Sequence, residues 1–589
     1  MSTLYSLQRI RRNAASWLDR LAFAALLLLA ATFALEILRP AFTLGSVQFT
    51  NLEALQFLVG GLWIAARCLA PGWRRLPQAL AQSVTLWMVV LMASSLAAFK
   101  DQTSILIFDS RILRGVLIAW ITFDLTRTAE RWQAVIRAFA LGGIIVYLVG
   151  LAEAANIGPV VQGLEAMRGI AIHVGELLRI SSTLPYPTIT AMVIELTLLP
   201  LLVWFQEARQ TWRRVLLAIG VLAGLAAFVL TFTRGGWLGL VGGLIVVIVL
   251  TLRYSPGHRR LVMAGSAAIV GCLIALIGLL ALRRPAVLLR FATENSESWY
   301  RVGFEVTGQL AARPGETLTI PVQLTNLGLH PWTISGDNVF HLSYHILRNY
   351  PAWRLGILYE GGRTELPGEV PPGNSVRVEA SVLMPSEEGD YVIRWDMVQE
   401  NVTWFSAQNS ATADTQVRLS GPPAAFSPDF PTQYFNETVL RPTVTRLELW
   451  SVALKMVADH PLLGVGPDNF RRVYDMYATV PFGNTSLHTN SLYVEWLAST
   501  GIVGLLAFLW FSGVLLYRAV RSLESLRQHP LVLWQIVLIG SLAAWYVHGV
   551  VDYFFEFMPT NTAFWLLVGL VVSAAGVQKM PSRSPERGA

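Results

Sequence analysis

The chain has 589 residues, of which 54% are hydrophobic and only 14% are charged, and its mean hydropathy is +0.50. This composition excludes a water-soluble globular protein and predicts a polytopic membrane protein, because so much apolar surface requires the bilayer as its solvent. The formal net charge of +7 does not indicate nucleic-acid binding, since the basic residues are spread over many short loops. The two cysteines, Cys68 and Cys272, lie in apolar runs and show no pattern of a disulfide framework or thiolate metal site.

Apolar runs of about 20 residues, the length that spans a bilayer as a helix, recur through both ends of the chain. The first run follows a basic segment but is interpreted as an uncleaved span, because many comparable runs follow it. The prediction is an all-α polytopic membrane protein with about twelve transmembrane helices. They lie near residues 21–38, 54–70, 81–99, 112–126, 133–152, 187–205, 215–232, 235–252, 261–282, 491–517, 531–550 and 560–577.

Arginine-rich and arginine-poor connections alternate between these spans. By the positive-inside rule the arginine-rich side, with both termini, is cytoplasmic. The same count places two long segments, 153–186 and 283–490, on the outer side. One loop departs from the pattern, because Lys100, Arg111 and Arg114 make it basic although it falls on the outer side.

Between residues 304 and 421 apolar runs give way to alternating apolar and polar residues, as at Leu318, Ile320 and Val322. Such alternation predicts half-buried strands separated by turns. An inserted extracytoplasmic β-sandwich of about seven strands, like an immunoglobulin or fibronectin module, fits this length. Its aromatic residues are open to two interpretations, exposed platforms for sugar rings or members of the core; they are Tyr344, Trp353, Trp395 and Trp404.

These patterns divide the chain into five parts. They are an N-terminal membrane domain of about nine helices (1–290), the β-sandwich insert (300–425), an extracytoplasmic helical loop (440–490), C-terminal membrane helices (491–578) and a cytoplasmic tail (579–589). Chemistry in the aqueous phase is expected in the outer segments.

Arg234 is the single charge in the apolar run from Val215 to Leu252, and the glycine pair after it breaks the run into two spans. An arginine near hydrocarbon is costly and normally has a polar partner or a function. The fixed fork of guanidinium donors suits phosphate, because it binds two oxygens at once. The alternative is an interfacial arginine that extends its side chain to the membrane surface.

A helix is predicted to start near Thr445, which has capping-box spacing with Glu448. Arg446 then lies at the helix N-terminus, where free backbone N–H groups and the helix dipole also favour an anion. Trp450, four residues later, shares its face. The alternative is an ordinary capped amphipathic helix. His460 lies in the glycine- and proline-punctuated loop that follows.

His488 lies just before a span, with Asn490 as a candidate helix cap. A neutral imidazole there could take a proton from a sugar hydroxyl, and a purely structural histidine is the alternative. Farther along, His548, Asp552 and Glu556 recur every four residues, so they are expected on one helical face, orienting one another or lining a polar cavity. No metal-ligand set emerges, and no metal is predicted.

Four segments lie in a characteristic order and topology: Thr233-Arg-Gly-Gly-Trp-Leu-Gly-Leu at a span junction; Arg446 with Trp450; Asp459-His-Pro-Leu-Leu-Gly-Val-Gly-Pro-Asp-Asn-Phe; and His488-Thr-Asn-Ser-Leu-Tyr-Val-Glu-Trp-Leu-Ala-Ser-Thr-Gly-Ile-Val-Gly. Together they resemble the O-antigen ligase and O-antigen polymerase family of membrane glycan transferases. The resemblance covers roughly residues 180–280 and 440–560, while the early spans match only in being apolar.

The resemblance implies an enzyme of surface polysaccharide or lipopolysaccharide biosynthesis in the bacterial cytoplasmic membrane, a glycosyltransferase or ligase without metal or other cofactor. Its donor would be a glycan on undecaprenyl diphosphate, and its acceptor a hydroxyl of a saccharide or lipid-saccharide at the outer face. The implied catalytic residues are Arg234 and Arg446, which would bind the donor diphosphate and stabilise its departure, and His488 as general base. Supporting candidates are Asn490, His460, His548 and Asp552.

The chain departs from the family in one important place. Family members often carry His followed by Asn, Ser or Gln, with two glycines farther along; here Asn490 occupies the histidine place and Gly501 the first glycine place. Either His488 acts as the base from two positions earlier, or another base such as His460 or His548 replaces it. The sandwich insert also departs from the usual ligase pattern.

Two other functions stay open. One is a transporter or flippase of lipid-linked saccharides, and the other is a catalytically inactive envelope-assembly protein that binds glycan through its sandwich. The candidate residues gather at the outer ends of spans, and the chain shows no internal repeat, which favours the transferase over a transporter. Ligase and polymerase differ in the acceptor, and the residues favour neither.

Overall fold

The computed structural model describes residues 2–37, 40–44, 47–98, 102–168, 172–174, 177–283, 299–335, 339–350, 354–400, 403–408, 410–424, 446–478 and 487–576. The chain divides into two units. Unit 1 comprises Met1–Ile172, Arg179–Leu279 and Arg446–Ala589, and unit 2 comprises His173–Leu178 and Leu280–Thr445. The predicted tail 579–589, Lys100, Trp353 and the predicted cap Thr445 lie outside the described residues.

Helices dominate unit 1. In chain order the helices are α1 (Ser2–Thr32), α2 (Asn51–Leu69), α3 (Gln78–Ala97), α4 (Gln102–Leu125), α5 (Ala129–Ala154), α6 (Gly158–Arg168), α7 (Pro187–Glu207), α8 (Thr211–Leu230), α9 (Arg234–Tyr254), α10 (Arg259–Arg283), α11 (Arg446–Asp459), α12 (Phe470–Tyr477), α13 (Leu492–Ser525), α14 (Val532–His548) and α15 (Met558–Ser573). One short hairpin, β1 (Phe42–Leu44) with β2 (Val47–Phe49), accompanies them, and a second, β3 (Ile172–Val174) with β4 (Leu177–Arg179), belongs mostly to unit 2.

Ten of the described helices are long and apolar enough to cross a membrane. They are α1 from Ile10 onward, α2, α3, α5, α7, α8, α9, α10 with the short turn before it, α13 and α15. The other two predicted spans, near 112–126 and 531–550, correspond in position to α4 and to the shorter apolar helix α14. The prediction of a largely helical chain with many membrane spans is therefore confirmed.

Helix α4 corrects the prediction of a basic outer loop. Arg111 and Arg114 lie within this helix and not in a loop. Each has a partner that compensates its burial, because Arg114 forms an ion pair with Glu53 and Arg111 donates to the backbone carbonyl of Glu556. These arginines therefore belong to the interior of unit 1, and they do not report on membrane sidedness.

Helix α13 begins one residue later than the predicted cap implies. Its N-cap is Ser491, whose hydroxyl accepts a hydrogen bond from the backbone N–H of Val494 at 3.4 Å. Asn490 instead has a φ of 50°, a left-handed conformation that asparagine tolerates better than most residues. The expectation that Asn490 caps the helix is therefore wrong.

Helix α13 is broken at Gly501, where φ is +67° and ψ is −173°. The loop that follows α11 fills the break and satisfies the backbone groups that the break leaves free. Val465 N–H donates to the Ala498 carbonyl at 3.0 Å, and Ile502 N–H donates to the Pro461 carbonyl at 2.9 Å. A side chain at position 501 would collide with the backbone of this loop, so only glycine fits.

An aromatic cluster joins α3, α13 and α15. The fully buried Trp87 stacks on Phe511 with ring centroids 5.3 Å apart and meets Trp496 edge-on at 5.2 Å. Trp565 lies 6.1 Å from the same ring. Packed aromatic pairs of this kind fix the relative positions of helices, and Trp496 adjoins Glu495, a member of the site described below.

Unit 2 contains the strands of the insert. They are β5 (Val302–Glu305), β6 (Gln309–Ala312), β7 (Thr317–Asn326), β8 (Phe340–Tyr350), β9 (Arg354–Glu360), β10 (Thr364–Glu365), β11 (Ser375–Leu383), β12 (Gly389–Gln399), β13 (Thr403–Trp404) and β14 (Ala413–Leu419). One sheet has the order β10-β8-β12-β14-β6, with β9 paired to β8 and β13 to β12, and the other has the order β11-β7-β5. Alternate residues of β7 are buried, as the alternation predicts; the immunoglobulin or fibronectin type stays a prediction.

The described aromatic residues of the insert belong to its core. Tyr344, Trp395 and Trp404 are 3%, 0% and 7% exposed, so of the two interpretations open from the sequence the structure supports membership of the core. Burial of Trp395 also satisfies its indole N–H, which donates to the Thr415 hydroxyl at 3.0 Å.

Candidate functional site

His488 lies between two carboxylates contributed by distant parts of unit 1. Its Nε2 is 2.5 Å from Glu556 Oε2, and its Nδ1 is 3.7 Å from Glu495 Oε1. The imidazole also packs against the ring of Tyr553, with centroids 5.3 Å apart. His488 is 8% exposed and the side chain of Glu556 is 20% exposed, so Glu556 is the more accessible member of the pair.

The segment around His488 is held by backbone contacts on both sides. Thr489 N–H donates to Glu495 Oε2 at 3.0 Å, and the Thr489 carbonyl accepts from the indole N–H of Trp450 at 2.9 Å. Trp450 lies on α11 one turn after Arg446, so this contact brings the N-terminal part of α11 to the segment that carries His488. Of the residues singled out in the sequence, Trp450 therefore packs directly against the segment that carries His488.

A second ion pair joins Asp468, in the loop before α12, to Arg471 in the first turn of α12. Arg471 Nη2 is 2.6 Å from Asp468 Oδ2, and Arg471 Nη1 is 3.4 Å from Glu556 Oε1. Asp468 is buried and has a φ of 58°. Burial raises the pKa of Asp468, although Arg471 opposes the shift.

Arg111 reaches the same residue from α4. Its guanidinium donates to the backbone carbonyl of Glu556, which places a second arginine beside this carboxylate. Glu556 thus meets one imidazole and two guanidinium groups, from three segments far apart in the sequence. Such an arrangement stabilises negative charge on Glu556 in a partly buried position.

The electrostatics of the pair follow from these contacts. Burial lowers the pKa of His488, but the carboxylates of Glu556 and Glu495 outweigh burial and raise the pKa from 6.5 to about 10. Burial raises the pKa of Glu556, but the facing cations, led by His488, bring it below its ordinary value of 4.5. At neutral pH the pair is therefore an imidazolium and a carboxylate, and the imidazole is not a free base.

His548 is the second imidazole that lies between two carboxylates. Its Nδ1 is 2.8 Å from Glu195 Oε1 on α7, and its Nε2 is 3.0 Å from Asp552 Oδ2 in the loop after α14. The expected contact of His548 with Asp552 is present, but Glu556, which was expected on the same helical face, pairs with His488 instead. The helix ends at His548, so the chain turns away before Glu556.

Arg234 is the first residue of α9. The preceding turn contacts another arginine, because Arg179 donates to the carbonyl of Thr231 at 3.0 Å and to the hydroxyl of Thr233 at 3.3 Å. Two guanidinium groups therefore lie around the N-terminus of α9, where backbone N–H groups also favour an anion.

Arg446 is the first described residue of α11, and the helix start predicted at Thr445 lies outside the described residues. Its Nε is buried and has no hydrogen-bond partner among the described residues. The other supporting candidates differ in placement. His460 directly follows α11 and is not one of the described ion-pair partners of His488, while Asn490 is half-buried two residues from His488.

Among the described residues, no group of three or more histidine, cysteine or acidic side chains is arranged to hold a metal ion. The site consists instead of cations and carboxylates in pairs. Such a set can bind an anionic ligand and move a proton.

Sequence reasoning missed five residues of these clusters. Two of them, Glu195 and Glu495, carried a recognisable signal, because each is an acidic residue within an apolar helix, the same feature that identifies Arg234. The other three depend on tertiary contacts and carried no such signal; they are Arg111, Asp468 and Arg471.

Comparison with known proteins gives one family match. Residues 402–509 match the protein family described as O-Antigen ligase. This range includes Arg446, His488 and Glu495 but ends before Glu556, and it confirms the family resemblance drawn from the sequence. A comparison with curated proteins finds no match.

Two solved structures show weak similarity. The sporulation control protein Spo0M from Bacillus subtilis has a TM-score of 0.15 and 10% identity, over 27% of this chain and 55% of that protein. The alkylpurine DNA glycosylase AlkC from Pseudomonas fluorescens, bound to DNA containing an abasic site analog, has a TM-score of 0.15 and 12% identity, over 70% of this chain and 99% of that protein. At these TM-scores neither similarity bears on fold or function.

Proposed function

From the premise that residues 402–509 carry an O-antigen ligase family match, we propose that the chain transfers a glycan from undecaprenyl diphosphate to an acceptor hydroxyl of a saccharide or lipid-saccharide. The reaction takes place at the outer face of the bacterial cytoplasmic membrane and requires no metal. The family is one of glycosyltransferase or ligase-type enzymes, and the ten apolar helices suit a substrate that is itself anchored in the bilayer.

The observation that carries the proposal is the pair of His488 and Glu556. Glu556 is a partly exposed carboxylate kept ionised by a buried imidazolium and by Arg471. A base that must reach an acceptor hydroxyl needs both accessibility and the ionised form. Glu556 has both at neutral pH, whereas His488 is buried and protonated and so cannot accept a proton.

We assign the donor diphosphate to Arg234 and Arg446. Arg234 is the first residue of α9, so its guanidinium and the free backbone N–H groups of the first turn favour the same anion. Arg446 lies in α11 with its Nε buried, and its guanidinium supplies a second fork of donors suited to phosphate. Diphosphate departs as an anion, and its departure requires stabilisation of developing negative charge more than protonation. Two guanidinium groups supply this stabilisation without a metal ion.

In the transfer step the acceptor oxygen bonds to the anomeric carbon of the donor sugar. The bond from that carbon to the diphosphate oxygen breaks, and undecaprenyl diphosphate leaves with the bonding electrons. The hydroxyl proton passes to Glu556, while His488 remains a cation and stabilises the carboxylate until the proton arrives. This assignment replaces the neutral His488 base expected from the sequence.

The experiment is transfer by the purified protein in proteoliposomes containing a labelled undecaprenyl-diphosphate-linked oligosaccharide and a saccharide acceptor. Arg234→Ala and Arg446→Ala are each expected to lower the rate at least about 100-fold, because each removes stabilisation of the leaving group. Arg259→Ala is the matched control. Arg259 is the first residue of α10 and is exposed, and it lies beyond the C-terminal end of α9, whereas Arg234 begins α9.

Three results would contradict the proposal. Full activity of both arginine variants would remove the diphosphate assignment. Movement of labelled glycan across the bilayer without transfer would establish a flippase. Binding of glycan without either process would establish an envelope-assembly protein.

A further inference from the structure

Glu195, His548 and Asp552 form a buried chain of three ionisable side chains that the transfer step does not use. Glu195 and His548 are fully buried and Asp552 is 7% exposed. Both ring nitrogens of His548 lie within 3.0 Å of a carboxylate oxygen. Ionisable groups inside a membrane protein are expensive, so a complete chain of them indicates a role beyond packing.

The geometry requires two protons in this chain. A neutral imidazole has one N–H donor, and both nitrogens of His548 face an acceptor. The three groups are therefore either an imidazolium with two carboxylates or a neutral imidazole with one carboxylic acid. Glu195 Oε2, the inner end of the chain, is buried without a hydrogen-bond partner among the described residues.

The first turns of α9 pack directly on this chain through glycines. A Cβ at Gly235, next to Arg234, would lie 2.7 Å from the ring of His548. A Cβ at Gly239, one turn later, would collide with Glu195 Oε2. The absence of side chains at both positions lets the helix that begins with Arg234 rest on the imidazole and the carboxylate.

Asp552, at the more exposed end of this chain of three side chains, connects it to a second structural element. Asp552 belongs to the loop between α14 and α15, and four residues later the same loop carries Glu556. The bond from His548 to Asp552 therefore ties this loop to α14, while the contacts of His548 and Glu195 with α9 determine the position of Arg234.

We infer that Glu195, His548 and Asp552 are positioning residues that hold Arg234 in register with the loop carrying Glu556. This inference rests on the proposed function, in which Arg234 binds the donor diphosphate and Glu556 receives the acceptor proton. None of the three residues contacts a reacting atom. They act through the helix and the loop that they join.

The test is a double-mutant cycle of Glu195→Gln and Arg234→Ala, measured as transfer rate in proteoliposomes with labelled undecaprenyl-diphosphate-linked oligosaccharide. Glu195→Gln preserves the size of the side chain but removes its charge. In the otherwise unchanged protein it is expected to lower the rate on the order of tenfold, and in the Arg234→Ala background by less than about twofold, because coupled residues are not additive.

The controls separate positioning from general loss of structure. Gly235→Ala, which forces a methyl group against His548, is expected to reproduce the non-additivity with Arg234→Ala. Gly271→Ala on α10 faces open space and is expected to leave the rate unchanged in both backgrounds. If Glu195→Gln does not accumulate in membranes, Asp552→Asn, at the more exposed end of the chain, enters the same cycle.

Equal factors for Glu195→Gln in both backgrounds would overturn the inference, because Glu195 would then act independently of Arg234. Full activity of Arg234→Ala would instead overturn the part of the proposed function that assigns the donor diphosphate to Arg234. The two failures are distinguishable, since the first requires Arg234→Ala to be impaired and the second requires it to be unimpaired.

Discussion

Two imidazoles of unit 1, those of His488 and His548, have similar immediate surroundings and different exposure to solvent. His488 and His548 each lie between two carboxylates. Around His548 the acidic partners are 0% and 7% exposed, whereas the side chain of Glu556 beside His488 is 20% exposed and also faces Arg471. The same local motif therefore suits positioning in one place and proton transfer in the other.

The difference teaches that burial and surrounding charge decide the role of a histidine between carboxylates. An imidazolium in such a pair is a poor base wherever it lies, because its proton is stabilised by both neighbours. The useful group is the carboxylate that remains accessible. Of these two clusters, that of His488 has the more accessible carboxylate, and Arg471 faces it, which supports the proposed proton transfer there.

The largest expected effect is that of Glu556→Gln. Loss of the base should lower kcat for glycan transfer by about 10²- to 10⁴-fold, the usual range for general base catalysis. The measurement is the transfer rate at saturating donor and acceptor, at matched protein levels. Asp552→Asn, in the same loop but in the buried cluster around His548, should be much less impaired. Similar loss in the two variants would erase the distinction between the clusters.

Arg471→Ala should have the next largest effect. It removes a cation from Glu556 and leaves Asp468 buried without its partner, which should reduce the transfer rate by about 10- to 100-fold. Arg521, an exposed arginine paired with Glu524, supplies the matched control variant Arg521→Ala. An unimpaired Arg471→Ala would mean that His488 alone is sufficient to keep Glu556 ionised.

Gly501→Ala tests the loop after α11, which fills the break in α13 and precedes Arg471 in the chain. The left-handed φ and the collision with the backbone of this loop should lower the free energy of unfolding by about 1–3 kcal/mol. Thermal unfolding of the detergent-solubilised protein measures the loss. Gly513→Ala lies on the same helix in open space and should leave the unfolding temperature unchanged or raise it slightly. Equal stability of both variants would show that the break in α13 is not needed.

The smallest effect is expected for Asn490→Ala. This residue occupies the place of the family histidine, yet the ion pair with Glu556 is made by His488. Transfer should therefore stay within about twofold of the unaltered protein, as for a substitution away from buried contacts. A loss comparable to that of Glu556→Gln would return the base to the position at which the family carries it.

The sequence predicts those features that depend on local pattern. Apolar runs predict the helices, alternation predicts the strands of the insert, and an isolated charge in an apolar run predicts the placement of Arg234 at a helix start. It does not predict which strands pair into which sheet, because register depends on contacts between distant segments.

The site is predicted only in part for the same reason. His488 stands out before a span, but its partner Glu556 lies beyond two further helices and was assigned to a different cluster. The sequence assigns Arg111 to a loop on the outer side of the membrane, and only the structure shows its contact with the Glu556 carbonyl. The role of His488 changes accordingly, since a pKa raised by two carboxylates cannot be read from the histidine and its sequence neighbours.

The pH dependence of transfer by the unaltered protein tests the central claim most directly. The active form contains ionised Glu556 and protonated His488, whose pKa values lie below 4.5 and at about 10. The rate should therefore be constant across neutral pH and fall only in acid, as Glu556 takes up a proton below pH 4.5. A rate that instead rises through about pH 6.5, the ordinary pKa of histidine, would identify a neutral His488 as the base and contradict the account.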